Sequence, residues 1–580
     1  MRSLSRPAVL LGALTLGASV AVAEEYPLPY VTDYQAYNEG FYGTHPNQSY
    51  KSTTAKGLLF QVNQWDRSRS GLSKYLFLSS LASDQKSTPF IIDTEDLSLV
   101  YADPKWSSVN NPRIQMYNGL PYFTFWEGAD FSGHGLGYCL MYDSSYQLVY
   151  NISTKMINTK MDSHECQLTE DGTALVTAYE KIAYDMTNAP GGGPQDGQLL
   201  DSIFEEIDVA TGEIKFLWRA SHHFGINETE VNWGSGDYGA QTEDVGWDFF
   251  HINSLQKTKE GNYLVSGRRI NTLTLISGKD GSVIWQLGGK NNQFFDLSGG
   301  EATNFGFQHT ARLLNDNMTE LTLFDNHDLN PEKPSPQCPE GCSRGLHLRL
   351  NFDDPNNFTA QVVHEYHHPM SISSWAMGGY QKLPNGNVLI AWGTTPVITE
   401  YTEDGEIVLD MQVGPWTAER HNEQPVYRAW TMDWTAFPSW LPDIAAADGY
   451  AYVSWNGATE VDSWDIMEGN TRDNITFTTN AKKIGYETVI PLKTNGAFVV
   501  ANALAADGTI LATSDVWDSE LGATRPGGAV GFCTIGCGRF DDFDSMILLL
   551  MSSSAILLFV MVTVTRGSRK KSIHEYDSLS

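Results

Sequence analysis

His251-Ile-Asn-Ser-Leu-Gln-Lys-Thr-Lys-Glu-Gly-Asn-Tyr-Leu-Val-Ser266 reads as a strand, a glycine turn and a second, apolar strand. The same grammar recurs along the chain. His164-Glu-Cys-Gln-Leu168 precedes the turn Glu170-Asp-Gly172 and the strand Ala174-Leu-Val-Thr-Ala178, and His309-Thr-Ala-Arg-Leu313 precedes Asn315-Asp-Asn317 and Leu321-Thr-Leu-Phe324. A fourth copy, Gly379-Tyr-Gln-Lys-Leu383 with Pro384-Asn-Gly386 and Asn387-Val-Leu-Ile-Ala391, has glycine where the others have histidine. Repeats set around an axis bring equivalent positions together, so three histidines at one repeat position are expected to converge. Convergence of that kind is what a catalytic or ligand site requires.

Working outward, the units continue with an Asp or Thr, a Gly and a strand that ends near Trp. Examples are Ile207-Asp-Val-Ala-Thr-Gly-Glu-Ile-Lys-Phe-Leu-Trp218 and Leu275-Ile-Ser-Gly-Lys-Asp-Gly-Ser-Val-Ile-Trp285. Asp-Gly and Asn-Gly between β-branched runs signal hairpins, and few long segments show helical periodicity. The expected fold is therefore all-β. Hairpin units of roughly 40 to 60 residues, rich in Trp and Gly, point to a β-propeller. Units fall near 58–105, 110–155, 164–220, 251–290, 309–368 and 379–413, with a less regular one at 448–516. Six blades with extra strands is the preferred count, and seven is the alternative. A pair of β-sandwiches would not explain why whole units recur with one internal order.

The ends carry a different message. Residues 1–23 have basic Arg2 and Arg6, an apolar run from Ala8 to Val22, and Ala21-Val-Ala23 as a small-residue cleavage site, which is the pattern of a secretory signal peptide. Residues 546–565 are charge-free, mostly apolar and long enough for one membrane-crossing helix. Arg566, Arg569, Lys570 and Lys571 follow at once and place the tail 566–580 on the cytoplasmic side. The expected product is a single-pass type I membrane protein of the secretory pathway or cell surface. Its ectodomain, 24–516, is lumenal or extracellular, with 517–545 as the juxtamembrane linker.

Six Asn-X-Ser/Thr acceptors, at Asn47, Asn151, Asn227, Asn317, Asn357 and Asn474, suit a glycoprotein made on that route. The six cysteines form an even set, as an oxidising compartment favours. Cys338 with Cys342 and Cys533 with Cys537 lie close enough to close small loops, leaving Cys139 and Cys166 to pair; a zinc ribbon from the two short pairs is the competing reading. A net charge of −31 makes nucleic acid an unsuitable partner, because phosphate contacts need clustered Lys and Arg. An anionic substrate would need a local positive pocket within this acidic shell.

Such a pocket has candidates. His251 is preceded by Gly246-Trp-Asp-Phe-Phe250, and the strand after its turn ends in Gly267-Arg268-Arg269. His309 follows Phe305-Gly-Phe-Gln308, and its partner strand ends in Asp325-Asn326-His327. Several histidines, a guanidinium and an amide can bind a tetrahedral oxyanion, since Arg offers paired donors and His can donate, accept or attack. This inventory suits sulfate or phosphate ester chemistry. Trp247, Phe250 and Phe307 are candidates to line an aromatic pocket.

On these residues the chain resembles the arylsulfotransferases, particularly their fungal secreted branch. The resemblance spans most of residues 100–515 and is carried by Trp247-Asp-Phe-Phe-His-Ile-Asn-Ser254, Ser266-Gly-Arg268, Gln308-His309, Phe324-Asp-Asn326 and Leu383-Pro-Asn-Gly-Asn387. It implies a six-bladed propeller that moves a sulfuryl group from a phenolic sulfate ester to another phenol, through a sulfohistidine and without a nucleotide donor. Position by position it implies His309 as the nucleophile, and His164, His251 and Arg268 as groups that hold sulfuryl oxygens and assist the leaving phenolate. It implies Asn253 as a further donor or orienting residue. His327 stands where the family often has a small residue, and Arg269 competes with Arg268 for the role of guanidinium. No cofactor and no resident metal are implied, and the partners are the aryl sulfate, the phenol and the membrane.

Two other functions fit parts of the same pattern. Three histidines can hold a zinc ion with an open fourth position, as in a metal-dependent hydrolase, although the motifs offer no clear carboxylate partner. A propeller can also be a non-catalytic platform that binds a ligand or partner.

Overall fold

The computed structural model describes residues 28–525 apart from 82–86, 107, 132, 156–158, 235–245, 329–340 and 418–424. The signal-peptide, juxtamembrane and membrane-span expectations, and Cys338, Cys533 and Cys537, lie outside the described residues. Among the described residues no helix is long and apolar enough to cross a membrane.

The described residues are all-β, with one five-residue α-helix at Tyr34–Asn38 among them. Six sheets share one antiparallel order, each starting from the strand that carries the repeat position. Three of them follow the sequence without interruption. Val109–Tyr117, Leu120–Phe131, His134–Tyr142 and Leu148–Ile152 make one. Cys166–Leu168, Thr173–Tyr184, Gly197–Asp208 and Ile214–Arg219 make the next, joined in parallel by Trp247–Asp248. Ile252–Lys257, Tyr263–Gly267, Thr272–Ile276 and Val283–Leu287 make the third. His309–Leu313, Glu320–Asp325, Arg344–Asn351 and Phe358–Tyr366 follow, with Phe294–Asp296 added in parallel.

The remaining two sheets mix the ends of the chain. Gly379–Lys382, Val388–Ala391, Val397–Tyr401 and Ile407–Gln412 are extended by Phe60–Trp65 and then Tyr30–Val31. Ala429–Met432 supplies the first strand to Tyr75–Leu81, Ser87–Asp93 and Leu99–Ala102. The expected unit 58–105 is therefore split between two sheets, because each completes itself with a strand from the opposite end of the chain. Residues 443–525 do not repeat the pattern. They form a three-stranded sheet and a separate sheet around Ser463–Gly469 and Phe498–Leu504, with an apolar core of their own that includes Ile444, Val453, Trp464 and Val499.

Local chemistry accounts for the hairpins. Gly261 and Gly386 sit at φ +84° and +93°, where a side chain is disfavoured; the copy without glycine puts Met318 at φ +59° instead. The strands after these turns, Tyr263–Gly267 and Val388–Ala391, are buried along their whole length. That explains their continuous apolar runs, because both faces pack against neighbouring sheets.

Every gap between consecutive sheets holds its own apolar cluster, from Leu175, Phe204 and Leu255 in one to Leu273, Leu313 and Leu323 in the next. Glutamine side chains stitch three of the seams by mimicking a strand edge. Gln115 accepts from Leu168 N–H (2.9 Å) and donates to Cys166 O (3.1 Å). Gln256 accepts from the N–H of Leu313 (2.7 Å) and donates to its carbonyl (3.2 Å). Gln381 does the same to Thr431, at 2.8 and 2.9 Å. The other seams are bonded by Tyr179 Oη to Ile252 O (2.9 Å), Thr310 Oγ1 to Gly378 O (2.7 Å) and Trp430 Nε1 to Asn111 Oδ1 (2.7 Å). Cys139 and Cys166 form a disulfide between two adjacent sheets, as the remainder argument expected, and Cys342 is also disulfide-bonded.

Candidate active site

The repeat position lies at the start of the first strand, and in three sheets a β-bulge falls beside it. Register shifts interrupt the ladder between Ile252 and Ser254, between His309 and Arg312, and between Asn110 and Arg113. Bulges re-aim side chains and recur next to active sites. His251 has φ +56°, an uncommon conformation for a residue with a side chain, and Asp248 over-determines it by accepting from both its N–H (2.9 Å) and its Nδ1 (2.6 Å).

His164, His251, His309 and Arg268 line one cavity of about 220 Å³. Within it the histidines split into two kinds. His164 Nδ1 donates to Asp162 Oδ2 (2.5 Å), His251 Nδ1 to Asp248 Oδ2, and the two Nε2 atoms face one another at 3.1 Å. With both Nδ1 atoms engaged as donors, a hydrogen bond between the Nε2 atoms requires one further proton shared by the pair, whereas burial, only partly offset by Asp248, pushes the His251 pKa well below that of a free imidazole. Burial opposes the ionised form of both aspartates, but the His164 charge and hydrogen bond outweigh it at Asp162, and Arg269 and His251 outweigh it at Asp248. Both carboxyls are thus held below the usual range.

His309 has a different partner. Its Nδ1 lies 2.7 Å from Asn326 Oδ1, and the Asn326 amide nitrogen donates to Ser374 O (2.7 Å) and Met377 O (2.9 Å). Those two bonds fix the amide's orientation, so its oxygen is the acceptor and His309 carries its proton on Nδ1. The Nε2 is left without a proton, and its lone pair accepts the Met377 N–H at 3.2 Å, a bond that has to open before Nε2 can attack anything. Burial, reinforced by the charge of Arg268, pushes the His309 pKa well below that of a free imidazole. The ring is neutral at neutral pH. Arg268 is held by a bond to Trp375 O (2.8 Å) and stacks on Phe307 (4.9 Å to the ring centre).

Behind the site lies a buried charge cluster. Glu165 bonds Arg113 (3.0 Å), Arg312 (2.6 Å) and Arg428 (3.3 Å), each from a different sheet. Burial alone would raise the Glu165 pKa, but Arg312, Arg428 and Arg113 outweigh it and bring it to about 2. The cluster also positions the site. Arg428 donates to Asn253 O (2.8 Å) and the neighbouring Tyr427 hydroxyl to His164 O (3.1 Å).

The other sequence candidates are placed outside the cavity. Trp247 and Phe250 are fully buried in the core between two sheets, Trp247 against Trp233 and Phe250 against Trp218 and Phe224. Phe307 packs on the Arg268 guanidinium and His327 on Phe307, so both support the arginine from behind. Arg269 turns away and donates to Asp248 O (2.7 Å), which settles the choice of guanidinium at the cavity for Arg268. Asn253 is buried and donates to Gln308 O (2.6 Å), fixing the backbone just before His309. Sequence reasoning missed Asp162, Trp375, Met377 and Tyr427. It quoted Asp248 and Asn326 within motifs without giving them work. His134, also missed, donates through Nε2 to Asp248 (2.9 Å).

Carboxylates absent from the motifs are therefore present, and among the described residues His164, His251 and His309 do not form a cluster with ligand-like spacing. Among the described residues the cluster with ligand-like spacing is His134, Asp248 and His251. There both histidines already donate to Asp248 Oδ2.

An all-β fold of repeated four-stranded sheets thus brings three histidines and an arginine to one small cavity. The family model for arylsulfotransferase (ASST) matches residues 113–414, and the chain belongs to that family. Membership supports aryl sulfotransferase activity in general. No curated protein matches the chain. Among solved structures it is similar to a protein of unknown function from Bacteroides caccae (13% identity, 62% of this chain and 98% of that one, TM-score 0.35). It is also similar to TolB from Acinetobacter baumannii (12%, 62% and 68%, TM-score 0.32) and BamB from Moraxella catarrhalis (10%, 79% and 99%, TM-score 0.24).

Proposed function

We propose that this chain is a nucleotide-independent sulfotransferase that moves a sulfuryl group from an aryl sulfate ester to a phenol through a sulfohistidine on His309. The observation that carries the reading is the Asn326 amide, which leaves His309 neutral with an unprotonated Nε2, held only by the Met377 N–H, at a cavity shared with Arg268, His164 and His251. In the first step Nε2 attacks sulfur, the sulfur–oxygen ester bond breaks, and the departing phenolate takes the proton held between His164 and His251. In the second step an acceptor phenol returns a proton to that pair as its oxygen attacks sulfur and the nitrogen–sulfur bond breaks. Arg268 stabilises charge on the sulfuryl oxygens, the kind of fixed electrostatic help that dominates such transfers. A covalent intermediate of this sort predicts ping-pong kinetics.

In this reading the six sheets are the blades of a propeller, with Ala429–Met432 closing the ring; the six apolar clusters and the bonded seams support it. The protein acts on the lumenal or extracellular side of a secretory membrane, as a member of the secreted, membrane-anchored fungal branch. The exposure of Asn151, Asn227, Asn317, Asn357 and Asn474 at the surface supports that placement, since each is open to glycosylation.

The test is phenolate release from a chromogenic aryl sulfate by the purified protein, with and without phenol, beside His309→Ala. Acceptor-dependent release that disappears in the variant is expected. Release without acceptor would point to a hydrolase, and no release from any donor would leave a binding propeller.

A further inference from the structure

Both carboxylates behind the histidine pair are met by His134 and Gly135, at the start of the strand His134–Tyr142. The Gly135 N–H donates to Asp162 Oδ1 (2.6 Å), and His134 Nε2 lies 2.9 Å from Asp248 Oδ2. The same Asp248 oxygen accepts from His251 Nδ1 at 2.6 Å, so two imidazole rings share one acceptor. An ionised carboxylate only accepts, which puts a proton of His134 on Nε2.

Packing does not call for a histidine here. The ring is fully buried, stacked on Phe131 (5.5 Å between ring centres) and met by the edge of Tyr179 (4.4 Å). Its Nδ1 has no hydrogen-bond partner among the described residues, a cost that an apolar ring would avoid. What the imidazole gains over such a ring is the bond to Asp248.

That bond bears on His251. A carboxylate that accepts a second donor has less charge to offer the first, and stabilises a charged imidazole less. Burial would raise the Asp248 pKa, but Arg269 and His251, followed by the His134 bond, bring it well below the usual carboxylate range. The other titratable groups facing His251 are His164, with Asp162 and Tyr427 beside it, and Tyr179, 5.9 Å away between ring centres. Arg268, His309 and Asp130 share its cavity, and Arg269 Nε lies 3.6 Å from Asp248 Oδ2. All of these stay in place when His134 alone is replaced, so the effect of its bond can be read separately.

We propose that His134 is a positioning residue for proton delivery: by donating to Asp248 Oδ2 beside His251, it limits how firmly that carboxylate holds the proton of the pair. This rests on the sulfuryl-transfer reading and deepens it. The proton passes from the pair to the phenolate oxygen as the sulfur–oxygen bond breaks and His309 Nε2 bonds to sulfur. His134 keeps its own proton throughout.

The experiment follows the donor half-reaction of the full chain against pH, with phenyl sulfate, whose leaving group needs the proton, and 4-nitrophenyl sulfate, whose leaving group needs it less. Phenol release should fall as pH rises through the apparent pKa of the pair, which burial of His251 places below the free value of about 6.5. In His134→Phe, and in the less bulky His134→Leu, that alkaline limb is expected about one unit higher, because Asp248 then serves His251 alone. His134→Gln, whose amide can donate to Asp248, should keep the wild-type limb. The position of a limb does not depend on the fraction of folded enzyme. A limb unmoved by His134→Phe and His134→Leu, or moved as far by His134→Gln, would overturn the role of the bond. So would turnover of both sulfates with no alkaline limb for phenyl sulfate in the wild-type protein. Absence of release from either sulfate would overturn the transfer reading, and this proposal with it.

Discussion

His309 and the His164–His251 pair occupy the same position in three sheets, yet they are wired oppositely. The pair is backed by carboxylates, Asp162 and Asp248, and its Nε2 atoms face one another at 3.1 Å. His309 is backed by the Asn326 amide and holds no proton on Nε2. A carboxylate favours the protonated imidazole strongly, whereas a neutral amide fixes the tautomer with little gain in basicity. The repeat supplies three identical side chains, and the partner beyond each ring differs; in the proposed mechanism that difference makes one the nucleophile and the other two the proton carrier.

Replacing the nucleophile breaks the comparison most severely. His309→Ala should lower acceptor-dependent phenolate release by about 10³-fold or more, in line with the loss of a covalent catalyst. Mass analysis after donor alone should find the added sulfuryl group on the wild-type protein and not on this variant. Label retained in His309→Ala and lost in His251→Ala would reverse the assignment. Next in size is Asp248→Asn, which removes the carboxylate behind His251. It should slow phenyl sulfate turnover by about 10²-fold, within the usual worth of general acid help. The drop should be smaller with 4-nitrophenyl sulfate, whose leaving group needs the proton less. Equal losses for both donors would show that Asp248 serves structure rather than proton delivery.

How much of this was legible in the sequence follows from the same wiring. The histidines could be aligned because hairpin turns and strand lengths keep their spacing regular, and the all-β character followed from the same turns. Their partners could not, because each reaches its ring by a different route: Asp162 from two residues before, Asp248 from three before, and Asn326 from the end of the neighbouring strand. Trp375 and Met377 sit in a connection with no counterpart in the other repeats, so no periodicity pointed to them. Trp247 and Phe250 misled because a motif marks sequence proximity to His251, whereas the strand Trp247–Asp248 pairs with the preceding sheet and carries its aromatics into that core. The exchange of end strands was invisible for a further reason. Pairing Tyr75–Leu81 with Ala429–Met432 is a long-range choice that no local pattern encodes.

A milder change makes the two kinds of histidine alike. Asn326→Asp gives His309 a carboxylate partner and should raise its pKa. In the wild-type protein burial and Arg268 hold that pKa well below the free value of about 6.5, so the donor half-reaction should stay flat as pH falls through that value. In the variant the neutral fraction of His309 shrinks as pH drops, and the rate should be about tenfold lower one unit below pH 6.5. Stability has its own sign. An imidazole that refuses a proton when folded but accepts one when unfolded makes the wild-type protein lose stability as pH falls below about 6.5, and the variant should lose less over that window. A pre-steady-state pH profile of phenolate release, with denaturant melts at two pH values, measures both. An unchanged acid limb would mean that Asn326 does not control the nucleophile.

The smallest expected effect lies on the seam between the two kinds of histidine. Gln256 reaches from the strand of His251 to the strand of His309 and makes two bonds to Leu313. Gln256→Ala should cost about 2 kcal/mol of stability, since two largely buried bonds are lost and a backbone N–H and C=O are left unmet. Turnover of the folded fraction should change by less than about threefold. The reason is position: the rings are held at the head of each strand by Asp248 and Asn326, and His309 lies four residues before the seam's contact at Leu313, across a register shift from it. Gln115→Ala removes an equivalent clamp between two other sheets and should cost about the same stability. A tenfold loss of turnover in Gln256→Ala that is absent in Gln115→Ala would show that the distance between proton pair and nucleophile is set by this seam, and that the partners beyond each ring do not act alone.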